Sequence, residues 1–319
     1  MTDDAQTPTP EQIAAAQATR AGFVALSGEP NAGKSTLLNR MVGAKVSIVT
    51  HKVQTTRTRI RGVAMEGAAQ IVFVDTPGLF RTKRRLDRAM VKAAWGGATD
   101  ADVIVFLIEA HRGLTEGAQS IVDRMRDELP KDRPVALAIN KIDRVKADVL
   151  LAMAEKLNEA YPFVKTFMIS AEKGYGVQDL RSWLASQIPA GPWFYPEDQI
   201  ADLPMRLIAA EITREKLTLR LHEELPYQLT VETEAWHDKK DGSTRIDQIV
   251  YVGRDGHKGI VLGNKGETIK AIGQSARAEI SEFLDRTVHL FLQVKVRPNW
   301  ENEPERYSEM GLEYKDGDA

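Results

Sequence analysis

Short, unbroken apolar runs punctuate the first half of the chain: Phe23-Val24-Ala25-Leu26, Ile71-Val72-Phe73-Val74, Val103-Ile104-Val105-Phe106-Leu107-Ile108, Val135-Ala136-Leu137-Ala138-Ile139 and Phe167-Met168-Ile169. Runs of this length, closed by polar or glycine-containing stretches, predict buried strands. Segments of helical spacing fall between them, notably Thr36 to Val42 and Glu116 to about Leu129. Strands alternating with helices predict an α/β fold, a mostly parallel sheet with helices on both faces and ligands at the carboxyl ends of its strands.

The pattern breaks in the proline-rich stretch Ile188 to Pro196 and resumes in another form. A helix is predicted from about Pro204 to Leu221. Strands follow over Tyr227–Thr233 and Arg245–Val252, joined by a turn near Asp241-Gly242. Two helices come next, the second with Ile269, Ile272, Ala276, Ile280 and Phe283 on one face. A last strand alternates Val288, Leu290, Leu292, Val294 and Val296 with His289, Gln293, Lys295 and Arg297. The order α-β-β-α-α-β predicts a second, α+β domain. The expected division is an extension rich in Ala, Thr, Pro and Gln at 1–19 and read as disordered, a first domain at 20–192, a linker at 193–204, a second domain at 205–298 and an acidic tail at 299–319.

Composition narrows the class. With 319 residues the chain is long enough for two cores, and 43% hydrophobic against 28% charged residues is ordinary for a globular protein. No apolar run approaches the roughly 20 residues that cross a bilayer, and Met1-Thr2-Asp3-Asp4 lacks the basic start of a signal peptide, so a cytoplasmic protein is expected. The absence of cysteine excludes disulfides, thiolate metal sites and a cysteine nucleophile. A net charge of −2 argues against indiscriminate nucleic-acid binding and leaves only a local basic patch for such a partner.

Candidate chemistry begins between the first strand and the first helix. Gly28-Glu29-Pro30-Asn31-Ala32-Gly33-Lys34-Ser35 matches G-x-x-x-x-G-K-[ST] in the strand–loop–helix setting the motif requires, with Thr36 following it. The two glycines let backbone N–H groups turn toward phosphate oxygens, and the helix N-terminus adds its attraction for an anion. Lys34 is expected to reach the β- and γ-phosphates and Ser35 the Mg²⁺. Downstream, the polar stretch His51 to Arg59 reads either as a plain connection or as a switch. In the switch reading Thr55 or Thr56, with Thr56 preferred, completes the metal shell and touches the γ-phosphate. Asp75-Thr76-Pro77-Gly78 ends the next strand. Asp75 is expected to hold the metal through water and Gly78 to offer its N–H to the γ-phosphate, with Leu79 to Arg85 as a second switch.

Asn140-Lys141-Ile142-Asp143 selects the base, because a carboxylate at Asp143 can accept both N1–H and N2–H₂ of guanine whereas adenine offers no such pair. Asn140 is expected to tie base and loops together, the Lys141 stem to lie along the ring, and the Ala171 N–H, after Ser170, to meet guanine O6. These signals define a GTP site that yields GDP, with Lys34, Thr56 and Gly78 as the groups acting on the γ-phosphate. In the second domain Gly263-Asn264-Lys265-Gly266 lies between two helices, the setting of the clamp of a KH domain, which grips the backbone of about four single-stranded nucleotides. Lys258, Lys265, Lys270 and Arg277 supply local positive charge.

A GTP-binding domain with these motifs in this order, followed by a type II KH domain, resembles the Era family of bacterial GTPases over about Ala21 to Tyr314. Gln54-Thr55-Thr56-Arg57 also fits the family pattern. The resemblance implies a Mg²⁺-dependent GTPase that binds small-subunit (16S) ribosomal RNA near its 3′ end and assists assembly of the 30S subunit. It also implies loose peripheral association with the inner face of the cytoplasmic membrane; a monomer is expected. Leu79 stands where Ras-like enzymes carry a water-orienting glutamine. The attacking water must therefore be positioned by backbone groups, another residue, a potassium ion or a bound partner, and slow intrinsic hydrolysis is expected. Two other readings compete: an RNA-modifying enzyme gated by GTP, for which the second domain shows no catalytic constellation, and a GTP-switched scaffold in which the Gly-x-x-Gly turn carries no function.

Overall fold

The computed structural model describes residues 19–49, 60–75, 96, 100–197, 199, 204–300 and 303–304. The switch threonines Thr55 and Thr56, the stretch Thr76-Pro77-Gly78-Leu79, the basic run through Arg85, residues 1–18 and most of the acidic tail lie outside them. The chain divides into two compact units. Among the described residues, the first holds 19–44, 60–75, 96, 100–197 and 199, and the second holds 45–49, 204–300 and 303–304.

In the first unit β1 (Arg20–Gly28), β3 (Ala69–Asp75), β4 (Val103–Glu109), β5 (Val135–Asn140) and β6 (Lys165–Met168) run parallel, and β2 (Ile60–Glu66) is antiparallel at the edge. The strand order is β2-β3-β1-β4-β5-β6. Because β1 has its two sequence-distant neighbours β3 and β4 on either side, the crevice at its carboxyl end is the topological switch point where an open α/β sheet takes its ligand. Every residue of β4 and β5 is buried, which explains their unbroken apolar runs. The helices are α1 (Lys34–Val42), α2 (Glu116–Glu128), α3 (Ala147–Ala160) and α4 (Val177–Gln187). Edge strand β2 was not legible as an apolar run, since Ile60 to Glu66 includes Arg61, Gly62 and Glu66. A two-residue turn with Gly67 at φ 57° pairs it with β3.

Two expected boundaries shift. Residues 193–195, placed in the linker, are bound to the first unit: Gln70 accepts from the N–H groups of Phe194 (2.8 Å) and Tyr195 (3.0 Å) and donates to the Tyr195 carbonyl, while Phe194 stacks on Phe23 at 5.0 Å. Thr19, counted with the extension, exchanges bonds with Gly191. The prolines signal a linker, but the buried Gln70 side chain bonds the backbone of Phe194 and Tyr195 and so ties the segment to the sheet.

The second unit comprises α5 (Met205–Arg220), β7 (Leu229–Asp238), β8 (Thr244–Val252), α6 (Asp255–Leu262), α7 (Glu267–Leu284) and β9 (Val288–Val296), in the expected α-β-β-α-α-β order. β8 is central, antiparallel to β7 and parallel to β9. Leu217, Leu221, Val250, Val252, Val261 and Ile272 fill one part of its core; Ile208, Ile212, Ile246, Ala276 and Ile280 fill the other. Trp300, placed in the tail, is 1% exposed and donates to the Gln228 carbonyl, so this core extends past β9. Residues 45–49, which follow α1 in sequence, belong here as well. Lys45 pairs with Glu215 (2.5 Å) and with Glu279, and the Val49 N–H donates to Glu215 at 2.8 Å.

Candidate functional site

The loop from Gly28 to Ser35 leaves the carboxyl end of β1 and feeds α1 directly. Gly33 has φ +98°, and a Cβ there would collide with the Asn140 side-chain amide, so only glycine fits. Lys34 is buried, and its Nζ arches back to donate to the carbonyls of Gly28 (3.0 Å) and Glu29 (2.9 Å). The ammonium is therefore held over the loop next to the positive end of α1, the arrangement an incoming phosphate chain needs. Pro30, Asn31 and Ala32 form the bend, in which Asn31 has φ 67° and the Ala32 N–H donates to the Glu29 carbonyl. Ser35 and Thr36 open α1. Asp75 ends β3 in register with Leu26 of β1, which places its backbone at the same end of the sheet; Thr76 to Leu79 beyond it are not described.

The base-selecting tetrapeptide lies at the carboxyl end of β5. Asn140, 1% exposed, donates to the Ala32 carbonyl at 2.8 Å and accepts from the Ala171 N–H at 3.0 Å. It thus binds three loops together. The Ala171 amide expected at guanine O6 is thus set beside Asn140 at the carboxyl end of β5. Lys141, at φ 64°, reaches the Asn31 carbonyl (2.8 Å) and Glu109 (2.6 Å), so its stem stretches from the tetrapeptide to the phosphate loop. Ile142 and Asp143 begin a single 3₁₀ turn. Asp143 is exposed, and the Ser170 hydroxyl holds its carboxyl below the ordinary aspartate range. Replacing Ser170 by alanine is expected to weaken GTP binding severalfold by releasing that carboxylate from its set orientation. A GTP titration checks it, and unchanged affinity would remove Ser170 from the site.

Three supporting residues gave no sequence signal. Glu109, 7% exposed at the end of β4, pairs with Lys141 and lies 3.6 Å from Arg112. Thr115, the N-cap of α2, donates to the Glu29 carboxylate at 2.7 Å and so fixes the phosphate loop's second residue. Arg40 of α1 donates to the carbonyls of Ala171 (3.2 Å) and Glu172. Each sits near a motif, but none belongs to one.

In the second unit the Gly-x-x-Gly turn joins α6 to α7. Gly263 has φ +73°, and a Cβ on it would strike Thr268; Asn264 and Lys265 form the tip, with Lys265 at φ 48°. Beside the turn, between α7 and β9, runs a groove of about 510 Å³ whose lining includes Ile269, Lys270, Gly273, Arg277, Phe291 and Leu292. Lys265, Lys270 and Arg277 are exposed and Lys258 is partly so, which gives the local basic patch that the net charge required.

A phosphate loop at the switch point of a mostly parallel sheet, with an Asn-Lys-x-Asp loop beside it, defines a P-loop GTPase domain, here followed by a KH domain. The family model described as 50S ribosome-binding GTPase matches residues 23–141, and that of the KH domain matches 224–301. GTPase Era of Dinoroseobacter shibae is 73% identical over 94% of this chain and 98% of its own length, and GTPase Era of Brucella suis biovar 1 is 64% identical over 93% and 94%. Among solved structures, a point variant of Aquifex aeolicus Era bound to GDP.AlF4- has a TM-score of 0.85 at 37% identity, covering 92% of this chain and 99% of that one. An Era in complex with MgGDPNP and nucleotides 1506-1542 of 16S ribosomal RNA matches with the same values. The chain belongs to the GTPase Era family and is a GTPase.

Proposed function

We propose that this GTPase binds single-stranded RNA at the 3′ end of the small-subunit ribosomal RNA through its KH domain, and that GTP binding and hydrolysis time its action in assembly of the 30S subunit. The observation that carries the reading is the built clamp: a turn in which Gly263 cannot be replaced without striking Thr268, set beside a groove bearing Lys270 and Arg277. Glycine permits the sugar–phosphate backbone to approach, the lysines neutralise it, and the α7–β9 groove takes the bases. The solved Era that holds a 16S ribosomal RNA fragment supports the same assignment.

In the GTP site, Lys34 and the loop amides hold the β- and γ-phosphates, and Asp143 reads guanine while Asn140 and Lys141 lock its loop to the phosphate loop. The hydroxyl of Ser35 with the carboxylate of Asp75 is a hard oxygen donor set suited to Mg²⁺, which would supply charge neutralisation between phosphates. Thr56 and Gly78 are assigned to the γ-phosphate. Crosslinking the protein to RNA in cells and mapping the attached nucleotides tests the reading. Crosslinks from the Lys265 region to the 16S 3′ end are expected; crosslinks scattered over unrelated RNAs would overturn it.

A further inference from the structure

Strand β4 is buried along its whole length and closes on a carboxylate, Glu109. A charge at the end of such a strand needs a partner, because a buried carboxylate without one is strongly destabilising. The partner is Lys141, whose Nζ lies 2.6 Å from Glu109 Oε2 and also donates to the Asn31 carbonyl at 2.8 Å. His111 and Arg112, both exposed, stand farther from the carboxylate, at 3.5 and 3.6 Å. Register sets Glu109 beside this ammonium: it pairs with Asn140 of β5, and the next residue's N–H, that of Ala110, donates to the Asn140 carbonyl at 2.8 Å.

What the ion pair holds is a backbone conformation. Lys141 has φ 64° and ψ 36°, the left-handed region, where a residue other than glycine is strained and stays only if surrounding contacts enforce it. Both groups on its ammonium come from elsewhere in the chain, Glu109 from the end of β4 and Asn31 from the phosphate loop. Lys141 is also the N-cap of the 3₁₀ turn Ile142–Arg144, so its backbone angles set the direction in which the chain delivers Asp143. Ser170 engages the Asp143 carboxylate itself, whereas the turn that carries Asp143 is aimed from Lys141.

We propose that Glu109 is a positioning residue for guanine selection: by holding the Lys141 ammonium it fixes the left-handed backbone at Lys141, and with it the place of the Asp143 carboxylate against the base. The proposal rests on the reading of Asp143 as the acceptor of guanine N1–H and N2–H₂. An ion pair that only braced the two loops would be missed by every nucleotide alike. A role through Asp143 is felt most by a base that carries the 2-amino group.

The test therefore compares GTP with inosine triphosphate, whose base lacks that amino group, by titration of wild type, Glu109→Gln, Lys141→Met and the double variant. In Glu109→Gln the affinity for GTP should fall roughly tenfold, the scale of one charge-assisted bond. That for inosine triphosphate should fall much less, so the preference for GTP narrows. Lys141→Met breaks the same pair from the other side while keeping an apolar stem, and should narrow the preference likewise; it carries the comparison should Glu109→Gln fail to fold. The double variant should do no worse than Lys141→Met, because it also removes the buried carboxylate that the single change leaves without its ammonium. Equal losses for the two nucleotides in the single variants, or losses that add in the double variant, would overturn the role of Glu109. An unchanged preference for GTP in Asp143→Asn, run alongside, would instead remove the reading of Asp143 on which that role depends.

Discussion

Lys34→Ala is expected to reduce single-turnover GTP hydrolysis by about 10²–10³-fold, the usual effect of losing one preorganised charge-stabilising group, and to weaken nucleotide binding by roughly 1.5–3 kcal/mol. The side chain is buried, and its ammonium is held over the loop at 3.0 and 2.9 Å from the carbonyls of Gly28 and Glu29. Truncation removes the charge and also strips those carbonyls of a donor, so the loop loses order along with electrostatics. Lys34→Arg would not rescue it, since a planar fork cannot take the place of a compact ammonium inside a closed loop. Normal turnover in the alanine variant would refute the assignment of this loop.

A change of substrate, not merely a loss, is expected from Asp143→Asn. The carboxylate accepts two guanine donors, whereas an amide presents one acceptor and one donor, and xanthine carries a carbonyl where guanine carries its amino group. Each charge-assisted bond is worth roughly 1.5–3 kcal/mol, so GTP affinity should fall about 10–100-fold or more while that for xanthosine triphosphate rises. The geometry around Asp143 favours a clean outcome, because Asn140 and Lys141 hold the loop through Ala32, Ala171, Asn31 and Glu109 in addition to the Ser170 bond that Asp143 makes. Competition binding with both nucleotides measures it. Equal losses for the two would mean that Asp143 supports the loop and does not read the base.

Most of this architecture was legible because strands buried on both faces write themselves as unbroken apolar runs, and because the phosphate loop and the Asn-Lys-x-Asp loop depend on fixed local spacings. An amide with donors and an acceptor at the end of a buried strand is expected to tie its surroundings together, and Asn140 bonds Ala32 and Ala171. What escaped was set by tertiary contact. β2 has no apolar run, because as an edge strand it needs only β3 to complete its ladder. Glu109 and Thr115 act through partners 32 and 86 residues away, a separation no local pattern encodes. The bond from the Ala171 amide to Asn140 likewise spans 31 residues and leaves no local pattern. Trp193 to Tyr195 and Trp300 read as linker and tail by composition; hydrogen bonds to Ala68 and Gln70 hold the first three to their unit, and burial holds Trp300 to the other.

Nucleotide and RNA are expected to sense one another. Residues 45–49 lead from α1 toward the segment that carries Thr56, and they belong to the KH-containing unit through the pairing of Lys45 with Glu215 and Glu279 and the Val49 N–H bond to Glu215. If that segment reorganises when the γ-phosphate is lost, RNA affinity must change with nucleotide state, and RNA must alter GTP affinity by the same factor, for a coupling of about 1–3 kcal/mol.

One titration tests the central claim most directly: single-stranded RNA from the 16S 3′ end, at one fixed salt concentration, against the GTP-analogue and GDP forms of wild type and of Gly266→Asp. Gly266 sits at φ +81° with nothing within 4 Å of where a Cβ would be, so the aspartate's Cβ meets no neighbouring atom and the substitution sets a negative charge on the clamp at the cost of local backbone strain. Tighter binding by the GTP-analogue form of wild type, and loss of binding by the variant with its GTP affinity retained, is the predicted result. Undiminished binding by Gly266→Asp, or the same RNA affinity in both nucleotide states, would contradict the account of a clamp under nucleotide control.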